Sequence, residues 1–419
     1  MSQDWRRQMT TSKRKIALIG QFLFPSGSAS AARIRNLAKG FVENGCEVSV
    51  IPTAPLSKNP NDDKQSLEGV RVYSLSKYPG SGFVPQRNSL IRKPLWFIAN
   101  KLAAIRSRNV VSTLIEDGAC DLAIFYGRSW SILSPALQIC RKKGVTTLID
   151  IVELSSQFGG FGGGLSPIYW DWQRMENKIS THFQGVVAIS RGLQDYYLKR
   201  GCKQTLCVPS IEGWETSTPE YTERNDPDQK LRILYVGALL ERDSPSTIAS
   251  LITGFKENGC NHFEIRVAGK YGETAEGKTI EKNWRGNNQL CSNITFLGRL
   301  SDKELANEFN RADFFLLTRK NSVEEACAFP TRLVEYLKAN RPVIVSNVGD
   351  IGLYLKDGIS AVFLDDTKTV EGVRKILKLS CDKDAMTSMA RSAYVVGQES
   401  FNRRIQCKRI LDFASGLRK

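Results

Sequence analysis

The chain has 419 residues, of which 41% are hydrophobic and 24% are charged, and its formal net charge is +16. These values predict a soluble protein with two or three domains and enough apolar residues for sizeable cores. No apolar run approaches the roughly 18 to 20 residues of a membrane-spanning helix, which argues against an integral membrane protein.

The first residues and the cysteines predict the cellular location. Met1–Arg7 lacks the apolar core of a secretory signal, so we expect a cytoplasmic protein. The ten cysteines are scattered without a CxxC pair, and the closest two, Cys202 and Cys207, have no histidine beside them. Buried reduced thiols are therefore favoured over disulfides or a zinc site.

The positive charge is concentrated in the first half of the chain. Residues 1–208 contain 28 Lys/Arg against 14 Asp/Glu, whereas residues 209–419 contain 31 against 29. A basic half attracts nucleic acid, an anionic membrane or a phosphorylated ligand, and charge alone does not choose among them. The stretch Leu90–Arg108 mixes basic with apolar and aromatic residues, which fits a helix on a membrane surface. An ordinary helix docked on its own domain is the alternative.

Short apolar runs alternate with helix-length amphipathic stretches, a pattern that predicts βαβ units and parallel sheets. In the first half the predicted strands are Ile16–Gly20, Val48–Pro52, Val70–Leu75, Leu122–Tyr126, Thr147–Ile151, Val186–Ser190 and Leu206–Pro209. In the second half they are Ile233–Gly237, Glu264–Gly269, Ile294–Gly298, Phe314–Thr318, Pro342–Ser346 and Ala361–Leu364. Two such sets predict an α/β fold with two doubly wound, Rossmann-like domains.

The domain boundaries follow from composition. We predict a first domain over 1–211, a polar linker with two prolines over 212–230, and a second domain over 231–395. The last residues, 396–419, are predicted to form a helix that packs back on the first domain. Ser301–Glu304 has the pattern of a capping box and predicts a helix that runs to Arg311.

The most informative motif is Ala326–Leu337, a polar turn marked by a proline that opens a short amphipathic helix. The first turn of a helix leaves its N–H groups unpaired at the positive end of the dipole, which favours an anion. Arg332 and Glu335 lie three residues apart on one face. Arg332 can neutralise phosphate and Glu335 can accept hydrogen bonds from two sugar hydroxyls, which predicts a nucleotide-sugar site. An ordinary surface ion pair is the alternative.

Further candidate residues follow other strands, and ligands of open parallel sheets bind at the carboxyl ends of strands. Arg242 follows a turn at Gly237, and Lys270 follows the next strand. Both cations could reach a diphosphate. Arg299 and Leu300 follow a third strand, where exposed backbone could recognise a base edge.

The loop after the first strand is rich in small residues, including Gly27 and Ser28, so backbone amides there could approach an anion. It matches neither GxGxxG nor a P-loop, which argues against a dinucleotide or ATP site. A plain tight turn is the alternative.

Several segments resemble a known family. “ILYVGAL”, “NITFLGRLSDKELANEFNRADFFLL” and “FPTRLVEYLKANRPVIVSNVGDIGLYLKDG” are similar, in order and spacing, to the donor domain of the GT-B retaining glycosyltransferases of the family 4-like, group 1 type. “VVAISRGLQDYYLKRG” resembles the end of their acceptor domain. The resemblance implies two domains facing across a cleft and a nucleoside-diphosphate sugar as co-substrate, with no metal or other cofactor.

The resemblance also implies roles for residues. Glu335 would hold the ribose hydroxyls, and Arg242 and Lys270 would stabilise the leaving diphosphate, since fixed cations neutralise developing charge without reorganising. The backbone that would meet the diphosphate belongs to Phe329, Pro330 and Thr331. Retention would proceed by front-face displacement, with the diphosphate helping to deprotonate the acceptor and without a protein nucleophile.

The chain departs from the family pattern at three places. The first of the family's two spaced glutamates falls at Cys327, for which Glu324 or Glu325 could substitute, and the first cation of its Gly-Arg pattern falls at Ala238. The histidine expected in the acceptor domain is missing. Its loop contains Asp150 and Glu153 instead, and either could position or deprotonate the acceptor hydroxyl. A turn-capping role for Asp150 is the alternative.

The resemblance implies a glycosyltransferase of cell-surface polysaccharide or glycolipid synthesis. Its acceptor would be a saccharide or a lipid-diphosphate-linked sugar, its basic domain would face an anionic membrane, and no nucleic acid is expected. A nucleotide-sugar 2-epimerase on the same architecture is one alternative, which the shortage of histidines disfavours. The other is a non-catalytic glycan- or nucleic-acid-binding protein, which Cys327 and Ala238 keep open.

Overall fold

The computed structural model describes residues 13–25, 28–53, 68–73, 92–154, 167–215, 217, 221, 230–365 and 369–417. Within these ranges the strands form two sheets in which every neighbouring pair is parallel. The first sheet has the order β3-β2-β1-β4-β5-β6-β7. Its strands are β1 (Lys15–Gly20), β2 (Glu47–Pro52), β3 (Val70–Val72), β4 (Leu122–Tyr126), β5 (Thr146–Ile151), β6 (Gly185–Ala188) and β7 (Thr205–Cys207).

The second sheet has the order β10-β9-β8-β11-β12-β13. The chain adds β9 and β10 on one side of β8 and then adds β11, β12 and β13 on the other side. Its strands are β8 (Leu231–Val236), β9 (Phe263–Ala268), β10 (Ile294–Gly298), β11 (Phe314–Leu317), β12 (Val343–Ser346) and β13 (Val362–Leu364). Both orders are those of doubly wound sheets, whose ligands bind where the strand order reverses. The predicted α/β fold is confirmed, and each predicted strand is present with ends that differ by a few residues.

Helices cover both faces of each sheet. In the first half they are α1 (Ala29–Glu43), α2 (Arg92–Glu116), α3 (Trp130–Lys142), α4 (Pro167–His182) and α5 (Arg191–Lys199). In the second half they are α6 (Pro245–Glu257), α7 (Ala275–Arg285), α8 (Asp302–Arg311), α9 (Val323–Cys327), α10 (Thr331–Lys338), α11 (Ile351–Tyr354), α12 (Thr369–Ser380), α13 (Lys383–Ser400) and α14 (Arg403–Gly416). The predicted capping box opens α8: the Ser301 backbone N–H donates to Glu304 over 2.8 Å, and the Ser301 hydroxyl accepts from the Glu304 backbone N–H over 3.3 Å.

The C-terminal helix α14 packs against α1 of the first half. Arg403 forms an ion pair with Glu43, and the guanidinium of Arg14 donates to the backbone oxygen of Leu411 over 3.0 Å. The chain therefore crosses back to the first sheet after completing the second.

The carboxyl ends of the two sheets are joined at the start of α5. The Ser190 hydroxyl donates to the Cys327 backbone oxygen over 2.6 Å, and the Arg191 backbone N–H donates to the Asp350 carboxylate over 2.6 Å. A Cβ atom on Gly192 would lie only 2.6 Å from the backbone oxygen of Ala326. Because Ser190 follows β6 and Cys327 ends α9, the loops at the carboxyl edges of the two sheets contact each other.

The structure bears on two sequence expectations, the state of the cysteines and the presence of a membrane-spanning helix. All ten cysteines are unpaired and seven are buried, as predicted for reduced thiols. Burial raises the pKa of Cys202 and of Cys207 to about 11, so both thiols are protonated at neutral pH. Over the described ranges, no helix combines the length and apolar character needed to cross a membrane.

Candidate active site at the carboxyl edges of the sheets

The floor of the candidate site is made of glycines at three adjacent strand ends. The Gly237 backbone N–H donates to Ala268 over 2.9 Å, and the Gly269 backbone N–H donates to the Gly298 backbone oxygen over 2.8 Å. Gly269 has φ +133°, and a Cβ there would lie 2.1 Å from the Gly237 backbone oxygen. Without side chains, this edge lets a ligand come close to the backbone.

Arg242 lies on a 3-10 turn, Glu241–Asp243, that follows an unusual backbone conformation. Leu239 is buried and has φ 52°, in the left-handed region that non-glycine residues rarely occupy. The Asp243 carboxylate accepts from the Leu240 backbone N–H over 3.0 Å, and the Arg242 backbone oxygen accepts from Lys320 over 2.9 Å. Such strain is typical of functional sites. The Arg242 side chain is exposed above this rigid turn.

Lys270 and Arg299 follow the neighbouring strands β9 and β10. Lys270 is exposed and begins the 3-10 turn Lys270–Glu273. Arg299 is exposed and pairs with Glu273 at 3.5 Å. Leu300 is half-buried and packs against the core. The strand order therefore places Arg242, Lys270 and Arg299, which follow β8, β9 and β10, along one edge of the second sheet.

Helix α10 carries Arg332 and Glu335, which form an ion pair with each other. The Glu335 side chain is 45% exposed. Desolvation raises its pKa, Arg332 opposes the shift, and the Glu212 carboxylate adds to it. A carboxylate that is poorly solvated but reachable is well suited to accept hydrogen bonds from a ligand. Pro330 caps α10 and Thr331 is exposed at its start, while the Phe329 side chain is buried against Phe401.

Tyr336 connects this helix to the glycine floor. The Val236 backbone N–H donates to the Tyr336 hydroxyl over 2.9 Å, and the Tyr336 ring stacks on Phe315 with centroids 4.5 Å apart. Val236 directly precedes Gly237, so this contact brings the helix of Glu335 beside the turn that leads to Arg242. The second-domain candidates therefore share one edge of the sheet.

The region around Cys327 differs from the family pattern. The Cys327 side chain is buried, and its backbone oxygen is bound by Ser190 of the first domain. Glu325 is also buried and pairs with Arg319 at 2.5 Å. Glu325 does not fit the suggested role of a replacement, because its carboxylate is already bound inside the protein. Glu324 remains exposed at the start of α9.

Asp150 is placed differently from what its suggested acceptor role requires. Its carboxylate is buried, and Arg33 donates to both of its oxygens over 2.7 Å each. Arg33 also donates to the backbone oxygens of Val208 and Pro209, at 3.2 and 2.9 Å. Asp150 therefore joins β5, α1 and the end of the first domain, and its burial leaves no path to an acceptor hydroxyl.

Glu153 lies beside Asp150 but is 40% exposed, and Arg128 donates to it over 2.6 Å. The sequence patterns did not single out Arg128. Its position two residues after the end of β4, directly after Gly127, could have indicated it. In the structure Gly127 has φ +123°.

The loop after β1 has a structural role in the part that is described. Ser28 caps α1 by accepting from the Ala31 backbone N–H over 3.1 Å. Gly27 lies outside the described residues.

A separate cavity of about 600 Å³ lies beside the carboxyl ends of β11, β12 and β13, and its lining contains none of the predicted site residues.

Comparisons with known proteins agree with this architecture. Residues 218–396 match the family model described as glycosyl transferases group 1. Comparison with curated proteins finds no significant match. Sucrose-phosphate synthase from Thermosynechococcus elongatus has a TM-score of 0.67 at 16% identity, covering 97% of this chain and 99% of that chain.

Two further solved structures are similar along nearly the whole chain. HepE from Anabaena, in complex with UDP and glucose, has a TM-score of 0.63 at 14% identity over 96% of this chain and 99% of that chain. The apo form of the lipopolysaccharide outer core galactosyltransferase WaaB has a TM-score of 0.59 at 15% identity, with the same coverage. The chain thus has the GT-B fold of these structures, and its residues 218–396 match the glycosyl transferases group 1 model.

Proposed function

We propose that the protein transfers a sugar, with retention of anomeric configuration, from a nucleoside-diphosphate sugar to a saccharide or lipid-linked acceptor. The observation that carries this proposal is the shared edge of the second sheet, where a side-chain-free floor adjoins Arg242, Lys270 and the helix of Glu335. HepE, which has the same fold, was solved with UDP and with UDP-glucose. UDP is therefore the first nucleotide to test.

The donor would lie with its diphosphate against the start of α10 and its ribose at Glu335. Arg242 and Lys270 would neutralise the charge that develops as the bond between the sugar carbon and the diphosphate oxygen breaks. The acceptor oxygen would form its bond on the face that the diphosphate leaves, and the departing oxygen would take the acceptor proton. No protein nucleophile is needed in this scheme.

The acceptor is proposed to reach the cleft from an anionic membrane surface. The first half carries the excess of positive charge, and α2 exposes Leu102 and Ile105, at 47% and 54%, next to exposed Arg106 and Arg108. Exposed apolar and basic side chains on this helix favour binding at a lipid headgroup layer. Co-sedimentation with anionic liposomes at low salt tests this, and absence of binding contradicts it.

A thermal-shift screen with UDP-, GDP- and ADP-sugars tests the donor proposal, because a ligand that binds only the native state raises the melting temperature. We expect one nucleotide to raise it and the other two to leave it unchanged. NMR of the product anomer then tests retention. A screen without any shift, or a product of inverted configuration, would contradict the proposal.

A further inference from the structure

We propose that Arg128, Glu153 and Trp172 form an acceptor subsite that binds a neutral sugar ring. This inference rests on the proposed function, because it names the part of the acceptor that the first domain recognises. Arg128 and Glu153 follow β4 and β5, which are adjacent strands with Tyr126 opposite Asp150. The next strand, β6, leads directly to Ser190, which touches the second domain. Arg128 and Glu153 therefore lie at the carboxyl edge of the first sheet, the edge from which Ser190 contacts the second half of the chain.

The geometry of the three side chains suits a sugar. Arg128 Nη2 donates to Glu153 Oε2 over 2.6 Å, and the guanidinium lies 6.0 Å from the centroid of the Trp172 ring. The Arg128 side chain is 22% exposed and that of Glu153 40%, so a ligand in the cleft can reach both. A carboxylate accepts hydrogen bonds from hydroxyls, a guanidinium donates them, and an indole face packs against the C–H face of a ring.

Hydrogen bonds of neighbouring residues fix the backbone next to Arg128 and Trp172. The Asp171 carboxylate accepts from the Ser131 backbone N–H over 2.9 Å and from the Ser129 hydroxyl over 2.5 Å. The Ser129 backbone N–H donates to the Gln21 side chain over 3.2 Å. These bonds tie the first turns of α3 and α4 to each other and to the end of β1. Trp172, which directly follows Asp171, is thereby kept beside Arg128, and a preorganised site loses less entropy on binding.

Charge selects a neutral ring over a phosphate at this position. The Arg128 cation is already paired with Glu153, and a phosphate placed against both would meet the repulsion of a carboxylate. Desolvation lowers the pKa of Arg128 even though Glu153 opposes the shift. A sugar hydroxyl can donate a hydrogen bond to Glu153 and accept one from Arg128 without adding charge. Any phosphate of the acceptor would then lie outside these three residues.

The test is binding of three neutral disaccharides, maltose, lactose and diacetylchitobiose, measured by saturation-transfer NMR in the presence of UDP. We expect at least one to bind the wild type. Arg128→Met, Glu153→Gln and Trp172→Ala should each weaken it by about tenfold, the effect of losing roughly 1.4 kcal/mol, whereas Trp172→Phe retains a ring and should weaken it less. Glu281→Gln, which removes an exposed ion pair with Arg285 on α7, is the matched control and should bind as wild type does.

The UDP-induced thermal shift is recorded in the same samples and reports the donor proposal separately. We expect it to be unchanged in all variants, which also shows that they are folded. The subsite is contradicted if no disaccharide binds the wild type, if all variants bind equally well, or if glucose 6-phosphate binds more tightly than the neutral sugars in an Arg128-dependent manner. Loss of the UDP shift in the wild type would instead contradict the donor proposal.

Discussion

The hydroxyl of Ser190 donates to the backbone oxygen of Cys327 over 2.6 Å, and the same hydroxyl accepts from the Leu193 backbone N–H over 3.1 Å. One side chain thus caps α5 in the first domain and binds the last residue of α9 in the second. Because both partners are buried, the bond is shielded from water. This contact is one of those that join the two halves of the chain.

Ser190→Ala should destabilise the protein by about 2–4 kcal/mol. Losing an N-cap costs about 1 kcal/mol, and a buried carbonyl left without its donor costs a further 1–3 kcal/mol. The free energy of unfolding in urea measures the change. Thr274→Ala removes the cap of α7, where Thr274 accepts from the Gly277 backbone N–H, without any contact between domains. If both variants lose the same free energy, the interdomain bond contributes nothing.

Gly269→Ala should abolish nucleotide binding and lower stability, because its Cβ would lie 2.1 Å from the Gly237 backbone oxygen. Gly259→Ala is the matched control: Gly259 also has a left-handed φ, +79°, but its Cβ would meet nothing within 4 Å. Both variants bear the backbone strain, and only the first bears the clash. Titration with UDP, followed by thermal shift, should distinguish them. Equal binding by both would argue against a ligand at the glycine floor.

Glu335→Gln should weaken UDP binding by roughly 10- to 100-fold, since a hydrogen bond to a charged group contributes about 1.5–3 kcal/mol. The amide retains the shape of the side chain but accepts more weakly. Calorimetric titration with UDP and with pyrophosphate, which lacks the ribose, measures the effect. The loss of affinity should appear for UDP alone, because the ribose is the expected partner of Glu335. Glu371→Gln, on the exposed start of α12, should bind both ligands as wild type does. A loss of affinity for pyrophosphate alone would instead indicate that Glu335 acts on the diphosphate and not on the ribose.

Arg33→Met should destabilise the protein by about 3–5 kcal/mol, because it leaves the buried Asp150 carboxylate without its cation. Asp150→Asn with Arg33→Met should recover part of this loss by removing the isolated charge. Unfolding of the two single variants and the double variant measures the coupling.

Asp150→Asn alone should also transfer sugar at a rate near that of wild type if it remains folded. A thousandfold loss of transfer in a stable Asp150→Asn protein would restore Asp150 as an acceptor base.

The stability contribution of Asp350 should fall as pH rises. Desolvation raises its pKa above the ordinary 3.8, although the Arg191 backbone N–H opposes the shift. Between 3.8 and the raised value the folded protein holds a proton that the unfolded chain has released. Stability therefore decreases with pH across that window. The difference in unfolding free energy between wild type and Asp350→Asn should decline along a pH series that starts at the ordinary 3.8 and rises through the raised pKa.

Glu304 provides the comparison of opposite sign. Hydrogen bonds from the Ser301 side chain and backbone lower its pKa below 4.5. Its contribution is present above that value and is lost as pH falls through the lowered pKa. The difference between wild type and Glu304→Gln should therefore grow with pH over the same series. Parallel curves for the two positions would contradict the assignment of Asp350.

The sequence by itself determined the strands, the capping box of α8 and the alternation that produces two parallel sheets. Each of these depends on local hydrogen bonding and on the period of apolar residues, which are written along the chain. Arg242 and Lys270 could be named as candidates because residues that follow parallel strands meet at one edge whatever the details of packing. Glu335 was a candidate because it lies three residues after Arg332 on one face of a helix.

Only the tertiary structure decided which carboxylates are available. Asp150 lies in β5 and Glu153 follows that strand three residues later, yet Arg33 from a distant helix binds the buried Asp150, whereas Arg128 binds the partly exposed Glu153. Glu325 is likewise bound by Arg319, and the Cys327 backbone is bound from the other domain. The burial and pairing of a charge depend on partners far away in sequence, and no local pattern encodes them.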